Sequence, residues 1–187
     1  MHVDADSHML DELLAAIRSE FPGFCLVRKD ESRLQRFIHY ALVALTFGGM
    51  RRYLHGYQTT IGKRIYVTPD WDSRPALERY VVLRHERIHL RQFRRLTLPG
   101  MAFLYLLLPL PMGLAYFRAR FEKQAYAETI RAAAEVYGRD HISDPAFRDN
   151  IVAQFTGAAY GWMWPFRRSL LRWYDSIVSA CNPDPQA

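Results

Sequence analysis

The sequence predicts an α+β, mainly helical fold, and three stretches carry that prediction. A run without glycine or proline extends from Ala76 to Leu98, which suits a long helix. A second helix-compatible stretch, from Phe117 to Tyr137, is rich in alanine. Between Tyr57 and Thr68, β-branched and aromatic residues flank a Gly-Lys pair, which is typical of a hairpin with a type II′ turn. We therefore expect two long helices and a small hairpin to organise the chain.

Length and composition predict one globular domain spanning residues 1–187. Half of the 187 residues are apolar, which is enough for a hydrophobic core and excludes a disordered chain. The two cysteines, Cys25 and Cys181, form no metal-binding or redox motif. The first residues are acidic rather than basic, so we expect no secretory leader and a cytoplasmic location.

The formal net charge of +6 comes almost wholly from arginine. A basic balance is found in proteins that bind nucleic acid or anionic lipid, and also in proteins with a simply solvated basic surface. No nucleic-acid-binding motif is present, so we favour the solvated surface and do not expect a nucleic-acid partner.

The other predicted elements follow from hydrophobic periodicity and from the positions of glycine and proline. Residues 7–19 form an amphipathic helix, and residues 24–27 suit a short strand. A helix is expected from Arg33 to Leu54, with a centre apolar on all sides that is buried or touches lipid. Residues 141–150 are expected to be a connection, and a last amphipathic helix runs from Arg168 to Val178.

The stretch from Leu96 to Phe117 carries no charge and has the length of a transmembrane helix. Prolines interrupt it, and arginines flank it on both sides, so it lacks the charge asymmetry of a membrane span. We expect a helix that turns back near Pro109 and Pro111 and is buried or dips into a membrane interface. Peripheral membrane contact stays open as an alternative.

The residues that carry chemistry form an H-E-x-x-H motif at positions 85–89. On a helix, His85 and His89 share one face, and Glu86 lies beside them. Gln92 falls on the same side, whereas the arginines at 84, 87, 91, 94 and 95 lie roughly opposite and provide a solvated face. The histidines should therefore point inward, where an imidazole needs a partner or a metal. This pattern indicates a zinc-dependent hydrolase.

Such an enzyme needs a third protein ligand and leaves the fourth position to water. Glu122, in the second long helix, is the best candidate. Glu128 competes with it, but lies about 240° further around the helix, so both cannot face one metal equally.

With its H-E-x-x-H motif followed by Phe-Glu-x-x-Ala-Tyr at 121–126, the chain resembles the small, single-domain gluzincin metallopeptidases from about Thr59 to Glu128. The resemblance implies a zincin-like pair of helices beside the hairpin. It implies Zn²⁺ bound by His85, His89 and Glu122, with Glu86 as the general base. Ala125 would be small so that helices approach closely. Tyr126 stands where larger gluzincins have an aspartate, so the outer partners of the histidines stay unassigned.

Residues 158–166 are dense in aromatic side chains, which usually form core. If these residues instead line the substrate cleft, the Tyr160 hydroxyl would donate a hydrogen bond to the oxyanion formed during hydrolysis. His141 and Tyr126 are the alternatives. One hairpin strand would hold an extended substrate by backbone hydrogen bonds, unless the hairpin is merely structural.

Together these features predict a zinc-dependent metallopeptidase acting on a peptide or protein, with Glu86 activating the zinc-bound water. The alternative is a non-catalytic, zinc-stabilised, membrane-peripheral interaction protein, in which a fourth protein ligand would replace the water.

Overall fold

The protein is mainly helical with one small sheet, which confirms the predicted α+β class. A computed structural model describes residues 2–45, 47–48, 50–106, 116–157 and 163–181. The chain divides into two compact units, Met1–Leu98 and Pro99–Ala187, and each is described by itself. The single-domain assignment stays a prediction.

The first unit combines helices with three short strands. Its elements, in chain order, are α1 (His2–Glu20), β1 (Cys25–Arg28), α2 (Arg33–Leu45), α3 (Tyr53–Gly56), β2 (Thr59–Ile61), β3 (Arg64–Val67) and α4 (Ala76–Leu106), of which α4 continues past the end of the unit.

The sheet has the strand order β1-β3-β2. β1 pairs with β3 in parallel, and β2 pairs with β3 antiparallel, with Thr60 opposite Ile65. Gly62 takes φ +61° in the two-residue turn, and Lys63 stays outside the positive-φ residues, as a type II′ turn requires. The predicted hairpin is therefore confirmed. It places β2 at one edge of the sheet.

Helix α1 is anchored at both its apolar face and its last residue. Leu10, Leu13 and Ile17 are buried. Glu20 accepts hydrogen bonds of 2.8 Å from the Nε atoms of both Arg87 and Arg91 on α4. Hydrogen bonding from Arg91, aided by Arg87 and opposed by burial, lowers the pKa of the Glu20 carboxyl to about 2.

The ion pairs of Arg87 and Arg91 with Glu20 show that the prediction of a fully solvated arginine face on α4 was wrong. Arg94 and Arg95 are exposed, but Arg87 and Arg91 are half-buried against Glu20. Because the folded pKa of Glu20 lies below its ordinary value of 4.5, its stabilisation is complete above that pH and is lost as pH falls towards 2. The sequence could not pair residues so distant along the chain.

The predicted helix from Arg33 to Leu54 is wrong beyond Leu45. Phe47 and Gly48 have φ values of +48° and +89°, which a right-handed helix cannot contain, and the next helix among the described residues begins at Tyr53. The apolar centre of α2 is also not fully buried, since Phe37 is 71% exposed.

Helix α4 carries the H-E-x-x-H motif and extends beyond Leu98, where the run without glycine or proline ends. Thr97 departs from helical geometry with φ 62° and ψ 167°. Pro99 follows two residues later in the sequence, and a proline lacks the amide hydrogen that a helix interior uses. Within the described ranges, no helix is both long and apolar enough to cross a bilayer. The bend expected near Pro109 and Pro111 lies outside the described residues.

The regular elements of the second unit, among its described residues, are all helices. After the end of α4 it contains α5 (Tyr116–Tyr137), α6 (Arg139–Ser143), α7 (Pro145–Thr156) and α8 (Arg167–Ala180). Its core includes the buried side chains Ile130, Ala133, Ile142, Val152, Phe155, Leu170 and Tyr174. The Tyr174 hydroxyl donates a 2.6 Å hydrogen bond to the carbonyl of Ile142. Burial raises the pKa of Tyr174 to about 12.

Two predictions for this unit have different outcomes. Helix α5 ends at Tyr137, and Gly138 follows with φ +83°, as expected. Residues 141–150 are not a simple connection, because most of them belong to α6 and α7. The Asp144 side chain accepts a 2.8 Å hydrogen bond from the Ala146 amide, and Pro145 occupies the first helical turn of α7. This Asp-Pro pair is an ordinary helix start that the prediction missed.

Candidate metal centre

The two motif histidines face each other on α4. The Nε2 atoms of His85 and His89 lie 3.1 Å apart, and the two rings meet nearly edge to face. His89 is 7% exposed and His85 is half-buried. The inward orientation predicted from helical periodicity is confirmed.

Glu122 completes a group of three metal-binding side chains. One ligand atom from each of His85, His89 and Glu122 lies within 4.8 Å of the others. Glu122 is 5% exposed. Tetrahedral zinc with ligands at about 2.1 Å would hold them about 3.4 Å apart, so modest contraction suffices. Two imidazoles and one carboxylate therefore fit a divalent cation in kind and in spacing.

The competing ligand Glu128 is not part of this group. Its carboxylate lies 3.6 Å from the guanidinium of Arg131, one turn along the same helix. Ala125, expected to be small for close helix packing, is fully buried.

Gln92 is the outer partner of His89 that the sequence left unassigned. His89 Nδ1 lies 2.9 Å from Gln92 Oε1, and the Gln92 side chain is buried. An amide oxygen only accepts hydrogen bonds, so this contact favours the tautomer in which Nδ1 carries the proton and Nε2 presents its lone pair. The signal was present, because Gln92 was already placed on the histidine face.

Replacing Gln92 with methionine should lower the affinity for zinc by about 10–100-fold, because an outer partner fixes the ring and raises its basicity. Competition titration against a chromogenic chelator measures this affinity. Gln92→Glu is the matched control, since it retains an oxygen at this position and should bind zinc nearly as well as the natural chain. Equal affinity in Gln92→Met would remove the assigned role.

Glu86 is buried and braced by the hairpin. Its side chain is 5% exposed, and the Thr60 hydroxyl donates a 2.6 Å hydrogen bond to Oε2. Thr60 belongs to β2, the edge strand, so the hairpin contacts the side chain next to the first histidine. Thr60 was not singled out from the sequence. Thr60 is identified only by its tertiary contact with Glu86.

A buried lysine supplies positive charge in the same unit. The Lys29 ammonium donates a 3.1 Å hydrogen bond to the carbonyl of Tyr53 and lies 3.9 Å from the centre of that ring. Burial lowers the pKa of Lys29 to about 7, and the negative charge of Glu86 opposes that shift. The Glu86 carboxylate thus has both a hydrogen-bond donor and an electrostatic partner within the protein.

The oxyanion donor stays a prediction. Tyr160, the first candidate, lies outside the described residues. His141 is exposed on α6, with its ring centre 4.9 Å from that of Tyr137. Tyr126 is half-buried, with its ring centre 5.3 Å from that of Phe155.

Comparisons with known proteins identify no relative of this chain. No protein-family model matches it, and no curated protein or solved structure matches it. The resemblance to gluzincins therefore stays a prediction, and the grouping of His85, His89 and Glu122 shows only that these three side chains could hold a metal ion.

Proposed function

We propose that this protein is a zinc-dependent metallopeptidase. The observation that carries the proposal is the grouping of His85, His89 and Glu122, whose ligand atoms all lie within 4.8 Å of one another. Two histidines and a glutamate are one of the ligand sets of catalytic zinc sites, which leave a fourth position open.

The three ligands would hold the cation through two imidazole nitrogens and one carboxylate oxygen. Bound there, zinc would supply Lewis acidity to water and to the scissile carbonyl. Gln92 would keep the His89 ring in the tautomer that a metal ligand needs.

Glu86 would be the general base. Its carboxylate would accept a proton from the attacking water as the new bond to the carbonyl carbon forms. The same proton would then pass to the nitrogen of the leaving amine as the carbon–nitrogen bond breaks. The hydrogen bond from Thr60 would hold the carboxylate in one orientation during both transfers.

Strand β2 would bind the substrate. Among the residues that the structure describes, β2 pairs with β3 alone, and Thr60 in its centre contacts Glu86. An extended peptide adding to the free edge of β2 would run past the base and gain backbone hydrogen bonds.

Metal removal tests the proposal. The purified protein should contain about one zinc per chain, cleave an unstructured protein such as casein, and lose this cleavage in a chelator. Added zinc should restore cleavage to the level of the untreated protein. A control incubation with the metal-saturated chelator separates metal removal from other effects of the chelator.

Two results would contradict the proposal in different ways. If the purified protein bound no divalent metal, the proposed metal site itself would be refuted. A protein whose melting temperature falls on chelation but that never cleaves peptide would favour the non-catalytic, zinc-stabilised alternative.

A further inference from the structure

A recess on the second unit combines cations with aromatic rings. Its volume is about 170 Å³, and it is lined by Tyr116, Ala119, Arg120, Lys123 and Trp164. The four α5 residues recur at helical spacing, so they share one face of that helix. The residues that line this recess differ in kind from the candidate metal ligands, since none of them is a carboxylate or a histidine.

The two cations of the recess have no acidic partner among the described residues. Arg120 lies 3.5 Å from the hydroxyl of Tyr116. The Lys123 ammonium lies 4.8 Å from the ring centre of Trp164 and 5.9 Å from that of Trp173. Aromatic faces attract a cation without neutralising it. The recess therefore presents uncompensated positive charge to a ligand.

Aromatic side chains form a continuous strip beside these cations. Ring centres are 5.6 Å apart from Phe117 to Tyr116, 6.1 Å from Tyr116 to Trp164 and 5.6 Å from Trp164 to Phe166. Phe166 is 62% exposed, and Tyr116 and Phe117 are also exposed. Contiguous exposed apolar surface marks an interaction site more often than an isolated exposed ring does.

We propose that this aromatic strip and its two cations form a docking surface for a bilayer that contains anionic phospholipid. Tyrosine favours the membrane–water interface, and the exposed Tyr116 fits that preference, while the exposed rings of Phe117 and Phe166 would enter the apolar layer. Arginine and lysine beside them would pair with headgroup phosphates. A strip that is aromatic along its length and basic beside it matches both properties of such a surface. The proposal does not depend on peptidase activity.

Vesicle co-sedimentation tests this surface. The full-length protein should bind phosphatidylcholine vesicles containing about 30% phosphatidylglycerol much more tightly than phosphatidylcholine alone, because anionic lipid attracts each nearby cation. The Arg120→Gln/Lys123→Gln variant should bind about 25-fold more weakly, since each lost charge contributes about fivefold. Phe166→Ala should weaken binding about tenfold.

Matched variants make the result specific. Arg139→Gln/Arg172→Gln removes the same charge from exposed positions elsewhere on this unit and should weaken binding no more than about threefold. Arg120→Gln alone leaves the Lys123 contacts with the two tryptophans in place, so it separates charge from packing. Circular dichroism melts verify that each variant is folded.

Several results would overturn the proposal. One is the absence of vesicle binding, and another is equal binding by the Arg120→Gln/Lys123→Gln variant and its control. Tryptophan fluorescence that saturates with inorganic phosphate, without vesicle binding, would identify a site for a soluble anion instead. Salt-sensitive DNA binding that depends on Arg120 and Lys123, without vesicle binding, would identify a nucleic-acid surface.

Discussion

Glu86→Gln is expected to lower the rate of peptide hydrolysis by about 10²–10⁴-fold, which is the usual contribution of a general base. Glutamine keeps the size of the side chain and can still accept the hydrogen bond from Thr60. It cannot take a proton from water at neutral pH. The fold and the zinc content should therefore stay those of the natural protein, while turnover falls.

The measurement is the initial rate of cleavage of a fluorogenic peptide, beside metal analysis of the same sample. Glu78→Gln is the matched control, because Glu78 lies on the same helix and pairs with Arg74 rather than with the site. This control should keep its full rate. Undiminished cleavage by Glu86→Gln would refute the assigned base, and loss of zinc from that variant would mean that Glu86 also supports the metal.

Glu122→Ala is expected to weaken zinc binding by more than about 100-fold, since removal of an outer partner alone costs 10–100-fold. Two imidazoles from one helix would remain, but the anionic ligand of the group would be lost. Hydrolysis should fall with zinc occupancy at limiting metal concentration. Isothermal titration of the metal-free protein with zinc measures the affinity directly.

Glu128→Ala decides between the two candidate ligands. Glu128 lies on the same helix as Glu122 and contacts Arg131, so its removal should leave the zinc affinity unchanged. If Glu128→Ala lost zinc while Glu122→Ala kept it, the third ligand would be misassigned. If neither variant lost zinc, the cation would be held by other residues.

Local patterns made the motif and the hairpin predictable. The inward face of α4 follows from helical periodicity, and the turn was predictable because glycine readily takes the positive φ that Gly62 shows in it. The break between α2 and α3 was missed because hydrophobic periodicity in that stretch does not register the left-handed backbone at Phe47 and Gly48. Tertiary partners such as Thr60 for Glu86 could not be predicted, since no local pattern links residues so distant in sequence.

The roles of Gln92 and Asp144 differ from that of Thr60, because local sequence patterns indicate them. Gln92 lies three residues after His89 on the same face, within reach of its ring. Asp144 precedes a proline, which is a common start for a helix. In both places the residue type and its spacing are sufficient to indicate the role.

The hydrogen bond from Thr60 to Glu86 makes the position of the proposed base depend on the register of β2. Side chains on a strand alternate in direction, so a slip of β2 by a single residue would turn Thr60 away from Glu86. The tight Gly62-Lys63 turn sets that register, although it lies more than twenty positions before the histidines. Lengthening this turn would therefore disturb the proposed base Glu86 while leaving the three candidate metal ligands unaltered.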